Sequence, residues 1–148
     1  MLASGHLDGH LRMWSIRTNE LIYEFKDLHD DAITSCSITP DEKAILTNSR
    51  DHSLKLVDIR NYKVVCSFED EHYLNGSATN RATVSSDGSY ALVGSKNGNV
   101  LVFDLAKQCL EEIYEDEHTT TINAVEWQPR GTRFVTIDSM GALYFWGV

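Results

Sequence analysis

Three short segments hold the residue types from which catalytic and metal centres are made: Asp27-Leu28-His29-Asp30-Asp31, Glu69-Asp70-Glu71-His72 and Glu115-Asp116-Glu117-His118. Carboxylates beside an imidazole can ligate a divalent cation or share a proton, and serine with histidine and aspartate raises a hydrolytic reading. The spacing argues against these. His29, His72 and His118 lie 43 and 46 residues apart, so the segments recur once per repeat and belong to different units instead of converging on one centre. The chain has no G-x-S-x-G elbow, no P-loop and no G-x-G-x-x-G turn. No catalytic, metal-binding or cofactor-binding residue is therefore assigned. Cys36, Cys66 and Cys109 are odd in number and widely spaced, which fits small apolar strand residues and neither a disulfide framework nor a zinc site.

The elements that would position these residues are legible in SKNGNVLVFDL, Ser95 to Leu105. Asn97-Gly98 tolerates the positive φ of a tight hairpin turn, and the apolar run that follows suits a strand covered on both faces. The same pattern starts at Leu7, Arg50 and Ser139. It aligns Trp14, Val57, Phe103 and Trp146 in one column at spacings of 43, 46 and 43 residues, close to the ~40–45-residue period of one propeller blade per repeat. Pro40-Asp41, Ser86-Asp87-Gly88 and Pro129-Arg130-Gly131 supply a second turn in each repeat, and the longer repeat carries its extra residues within Tyr73 to Arg81.

Fourteen strands are expected, lettered a to d outward from the central channel of a propeller. They are Leu2–Gly5, Leu11–Ile16 and Leu21–Phe25; Ile33–Ile38, Ala44–Asn48, Leu54–Ile59 and Val64–Phe68; Ala82–Ser85, Tyr90–Gly94, Val100–Leu105 and Cys109–Tyr114; and Ile122–Trp127, Phe134–Ile137 and Leu143–Trp146. The expected class is all-β, with about 3.5 four-stranded antiparallel blades. Residues 1–28 form a partial blade of strands b to d, 29–71 and 72–117 form whole blades, and 118–148 form a final blade without its outer strand. Open edges of this kind expose unpaired backbone groups and apolar faces. Trp127 and Trp146 fit buried positions between blades.

Composition narrows the function. With 13 basic and 22 acidic residues the 148-residue chain has a net charge of −9, which repels phosphate backbones and anionic headgroups and argues against nucleic-acid binding and membrane contact. No apolar run nears the ~18 residues of a spanning helix, and the N-terminal residues lack a signal-peptide pattern. A cytoplasmic location follows as the expectation.

The acid-His element before strand a, the Pro/Ser-Asp-Gly turn, the Asp/Asn-Gly turn and the terminal Phe-Asp or Trp resemble WD40 repeats. The segments SGHLDGHLRMWSIR, LTNSRDHSLKLVDIR, SSDGSYALVGSKNGNVLVFDL and TTTINAVEWQPRGTRFVTIDSMGALYFWGV together resemble the C-terminal WD40 propeller of the autophagy-related protein 16 (Atg16-like) family across the whole chain. The resemblance implies a ring of about seven blades. It also implies a buried hydrogen-bonded chain in each blade: loop His, strand-b Ser or Thr, turn Asp, strand-c Trp. Carried over, the second unit offers His29, Ser49 and Asp51 with Val57 in the Trp column. The third offers His72, Ser95 and Asn97 with Phe103. The fourth offers His118 and Trp146, with Asp138 and Met140 at the other two places. Trp14 fills the column in the first unit, and Asp58 and Asp104 end strand c. No unit carries the full set, so the blades are expected to lean on apolar packing.

The loop before strand a and the turn between strands b and c emerge on one rim, the top face. Leu7, Arg50 and Lys96 represent the turns there; Asp31, Tyr73 and Thr120 represent the loops. An exposed Leu and Tyr beside two cations would hold a short peptide. The expected function is a non-catalytic interaction scaffold. The resemblance makes it the WD40 docking region of an Atg16-like protein, recruiting partners for Atg8-type lipidation. The Atg12-Atg5 conjugate would be bound through N-terminal regions outside this sequence, and the protein would sit peripherally at autophagosome precursor membranes without membrane insertion. The alternative is a WD40 scaffold fragment of another complex, a ubiquitin-ligase adaptor or a ribonucleoprotein assembly factor.

Overall fold

The computed structural model describes residues 1–147. Its elements are β1 (Leu2–Gly5), β2 (Leu11–Trp14), β3 (Leu21–Phe25), β4 (Ile33–Ile38), β5 (Ala44–Ser49), β6 (Leu54–Asp58), β7 (Lys63–Phe68), β8 (Ala82–Val84), β9 (Tyr90–Gly94), β10 (Val100–Asp104), β11 (Cys109–Tyr114), β12 (Ile122–Trp127), β13 (Arg133–Asp138) and β14 (Leu143–Gly147). They form four antiparallel meanders, β1-β2-β3, β4-β5-β6-β7, β8-β9-β10-β11 and β12-β13-β14, and no helix occurs among the described residues. These are propeller blades. Among the described residues no helix is long and apolar enough to cross a membrane.

Each blade repeats the same local devices. The c–d pairing shifts register at Met13/Trp14, Leu56/Val57 and Val102/Phe103, and the a–b pairing shifts at Ile33/Ser35 and Ile122/Ala124. Bulges at these two fixed places in the repeat twist the strand and re-aim the next side chain. The b–c turn puts Gly9, His52, Gly98 and Gly141 at φ values of 75, 66, 92 and 87°. Asp58 and Asp104 close the c–d turns by accepting the Arg60 and Ala106 backbone N–H groups, and the Arg60 guanidinium holds the Asp58 carboxyl down at about 2. In the first blade Ser15 does this work, accepting from Thr18 N, so strand c ends at Trp14 and not at the expected Ile16.

Three apolar cores lie between neighbouring sheets. Leu11, Met13, Ile33, Ile45 and Val57 fill the first junction. Leu46, Phe68, Tyr73, Val93 and Phe103 fill the second, and Leu92, Val102, Ile122, Trp127 and Phe134 the third. β10 is buried along its whole length because both its faces meet other sheets. At the first and third junctions, Gly5 and Gly94 let an isoleucine of the next blade lie against bare backbone. A Cβ at either would come within 2.3 Å of Ile33 Cγ2 or 2.2 Å of Ile122 Cγ2. Trp127 is buried, whereas Trp146 is half-buried because β14 is the outermost strand of its sheet. Phe145 on the same strand is 81% exposed.

Candidate partner-binding rim

The rim is built on the histidine chains beneath it. In the fourth blade His118 Nδ1 lies 3.0 Å from Asp138 Oδ2, His118 Nε2 lies 2.6 Å from Thr136 Oγ1, and the Trp146 indole donates to Thr136 Oγ1 at 2.8 Å. This set is complete, contrary to the expectation that no unit is. Thr136 supplies the hydroxyl, and Asp138, expected in the hydroxyl's place, supplies the carboxylate. Met140 takes no part through its side chain, which is exposed; its backbone N–H donates to Asp138 Oδ1.

The second blade shows the same two-residue correction. His29 bonds to Thr47 Oγ1 at 2.8 Å and Asp51 Oδ2 at 2.9 Å, while Ser49, expected in that role, donates to the Asp31 carbonyl. Burial holds the His29 imidazole below its ordinary range, against the pull of Asp51. In the first blade Trp14 donates to Ser4 Oγ, which pairs with His6.

The third blade has no such chain. The hydroxyl column is filled by Val93 and the aromatic column by Phe103, both fully buried. Ser95 bonds the backbone of Leu74, and the Asn97 amide donates to the His72 carbonyl. His72 itself turns outward, its side chain 41% exposed and paired with Asp70. Here the expected reliance on apolar packing describes the blade.

The carboxylate–imidazole pairs are thus spent within single blades, and no group of three or more potential ligands for a metal ion is present among the described residues. Ser95 bonds the Leu74 backbone and His118 bonds Asp138 and Thr136, so these two are not joined to each other.

On the rim above, the b–c turn of the second, third and fourth blades is tied to the loop before strand a. Arg50 N donates to Ala32 O, Lys96 N to Leu74 O and Ser139 N to Thr121 O. Leu7 is 87% exposed, and Asp31, Arg50 and Lys96 are exposed. The Lys96 stem lies over Gly76, where a Cβ would come within 2.6 Å of it. Thr120 is half-buried. Tyr73 is not on the rim: it is 1% exposed, and its hydroxyl donates to Asn48 Oδ1. The longer loop carries Tyr73 inward to fill the junction left open by His72, and the neighbouring Leu74 is the exposed residue, at 40%. Leu74, His52 and Met140 are rim residues that the sequence reading did not select. The repeat columns carried the signal, since His52 and Met140 lie in the same turns as Arg50 and Ser139.

A WD domain, G-beta repeat, matches residues 19–58, which run from the outer strand of one blade to strand c of the next. The chain is similar to Protein tipD of Dictyostelium discoideum, 32% identical over 98% of the chain and 24% of that protein. Autophagy-related protein 16 of Arabidopsis thaliana is 32% identical over 97% of the chain and 28% of its own length, and Autophagic-related protein 16.2 of Caenorhabditis elegans is 28% identical over 97% and 27%. The chain spans about a quarter of the length of these relatives. With its repeated turns, bulges and histidine chains, the chain is a WD40-repeat β-propeller segment similar in sequence to the Atg16-like proteins.

Proposed function

We propose that the chain is a non-catalytic docking platform of the autophagy machinery, cytoplasmic, with its top rim presented to peptide segments of partner proteins. The observation that carries this reading is the match to Autophagy-related protein 16 over 97% of the chain. A propeller offers rigid loops on one face and no strained nucleophile, which suits recognition better than chemistry. Exposed Leu7 and the cations of Arg50 and Lys96 give the rim an apolar anchor and two charges to set register on an acidic segment. In the finer form of the proposal, regions outside this segment engage an Atg12-Atg5 conjugate. The rim recruits membrane-associated partners, so that Atg8-type proteins are attached to lipid there, and the protein is peripheral at autophagosome precursor membranes.

The test is a chimera in which this chain replaces the matching segment of the Dictyostelium relative in cells lacking that relative, with Atg8-type lipidation read by gel mobility. Restoration by the chimera is expected, as is a reduced response with Arg50→Glu and Lys96→Glu at equal expression. A well-expressed chimera that restores nothing overturns the autophagy reading, and an unreduced response in the charge-reversed form overturns the rim.

A further inference from the structure

Three junctions join the four blades, and the middle one is built differently. At the first and third, a glycine of the b–c turn lies against the histidine loop of the next blade. A Cβ on Gly9 would come within 2.1 Å of the His29 carbonyl oxygen, and one on Gly98 within 2.2 Å of that of His118. The equivalent residue at the middle junction is His52, at φ 66°, which has a Cβ. The third blade's loop cannot seat as the others do. His72 is correspondingly turned outward, and Asp70 is not left-handed, although its counterparts Asp27 and Asp116 are, at φ 51 and 68°.

The retreat leaves a groove of about 410 Å³ between the blades, walled by Asp51, His52, Glu69, Glu71 and Leu74, with Tyr73 and Asp70 also lining it. We propose that this groove is a second docking site, separate from the cations of the inner rim, and that it takes a partner segment carrying lysine or arginine beside an apolar residue.

Its chemistry selects that occupant. Asp51 and Asp70 are already paired with His29 and His72, but Glu69 and Glu71 make no ion pair with lysine or arginine among the described residues. Both are exposed on a chain of net charge −9, so a cation is drawn toward them and gains further as the groove sheds water. The exposed part of Leu74 offers an apolar contact. His52 Nδ1 accepts from Asn75 N at 3.0 Å, so the ring proton of the neutral imidazole is on Nε2, a donor for a partner's carbonyl. The wall is pinned in advance. Asn75 Nδ2 donates to Ser49 O and Thr34 Oγ1, and Leu74 N to Ser95 Oγ, so binding does not have to order a loose loop. A second copy of this acidic chain is a poor occupant by charge.

The probe is a fluorescein-labelled decapeptide alternating lysine and leucine, titrated by anisotropy against the full chain at low salt, with a glutamate–leucine peptide as the control. Binding of the lysine peptide is expected, weakened by salt, with amide exchange slowed over residues 69–75. Glu69→Lys with Glu71→Lys should weaken it tenfold or more. Glu111→Lys with Glu112→Lys, which makes the same change in net charge on β11, should leave it within about twofold. Equal loss in both variants would reduce the effect to bulk charge and overturn the site. Equal binding of the glutamate peptide, no binding, or self-association displacing the probe would also overturn it. Arg50→Glu with Lys96→Glu is expected to leave this binding in place, so failure here and failure of the inner rim are read separately.

Discussion

The Trp146 indole N–H donates to the Thr136 hydroxyl across the β13–β14 pair at 2.8 Å, and the first blade repeats the relationship between Trp14 and Ser4. Where strand c carries Phe103 instead of Trp, strand b carries Val93 and no hydroxyl at all. Where it carries Val57, the Thr47 hydroxyl donates to the Lys55 carbonyl. The hydroxyl is kept where a partner for it remains and is absent in the third blade, because a buried hydroxyl without a partner costs more than a methyl in the same space.

Thr136→Val tests that coupling. The side chain keeps its shape but leaves the Trp146 N–H and one nitrogen of fully buried His118 unpaired, and each such group costs about 1–3 kcal/mol. A urea midpoint lowered by the equivalent of at least about 2 kcal/mol is expected. Val93→Thr should cost less, because its hydroxyl can donate to the carbonyl of Leu101, its strand-c partner, as Thr47 does to that of Lys55. A neutral Thr136→Val would show that the chain of bonds contributes little.

Stability should fall in two steps on acidification. The folded His29 imidazole lies below its ordinary value of 6.5 because it is buried, so below that pH the unfolded chain binds the proton more readily and stability drops. Asp138 is held below 3.8, chiefly by its bond to His118. Asp51 is also held low, where the Ser53 hydroxyl and His29 overcome the opposing effect of burial. Their contribution is present above 3.8 and is lost as pH falls through the folded values. Melting temperatures from pH 8 to 3 should show both steps, and His29→Gln, though less stable at neutral pH, should lose the upper one.

Much of this molecule was legible in the repeat. Hairpin turns, strand order and the interior column from Trp14 to Trp146 follow from turn chemistry and apolar runs, which are local. The histidine chains were harder, because strand b carries hydroxyls two residues apart, Thr47 and Ser49, on the same face of the strand. Only the partner's position decides between them. Tyr73 was harder still. An aromatic in a loop reads as surface, and its burial among Leu46, Phe68 and Phe103 shows only in the packing between blades, beside a column where His52 stands in place of glycine. The substitution of Gly by His at that column was visible, but its consequence needed the packing.

Glycine replacements should separate backbone strain from contact. Gly98 and Gly141 have nearly the same φ, 92 and 87°, but a Cβ meets the His118 carbonyl at the first and open space at the second. Gly141→Ala should cost about 1–2 kcal/mol for the left-handed conformation alone. Gly98→Ala should cost clearly more, because backbone must move. Equal losses in urea unfolding would show that the loop of the fourth blade yields freely.

The middle junction should depend on Tyr73 through its hydroxyl as well as its ring. Gly5 and Gly94 give the other junctions an isoleucine packed on bare backbone, but the same column here is Asn48, 0% exposed. Its Oδ1 accepts from the Tyr73 hydroxyl, and its amide reaches the Asn80 carbonyl. Tyr73→Phe keeps the ring among Leu46, Phe68 and Phe103 and removes only the donor, leaving a buried amide oxygen unpaired. A loss of about 1–3 kcal/mol is expected, against about 3–5 kcal/mol for Tyr73→Ala, which also empties the core. If the hydroxyl acts through Asn48, then Asn48→Ala and Tyr73→Phe should be non-additive by at least about 0.5 kcal/mol in a double-mutant cycle. Tyr73→Phe should also leave inner-rim binding unchanged, since the hydroxyl lies inside the junction. Additive losses, or a rim affinity that tracks the hydroxyl, would return Tyr73 to the surface role that its place in the loop sequence implies.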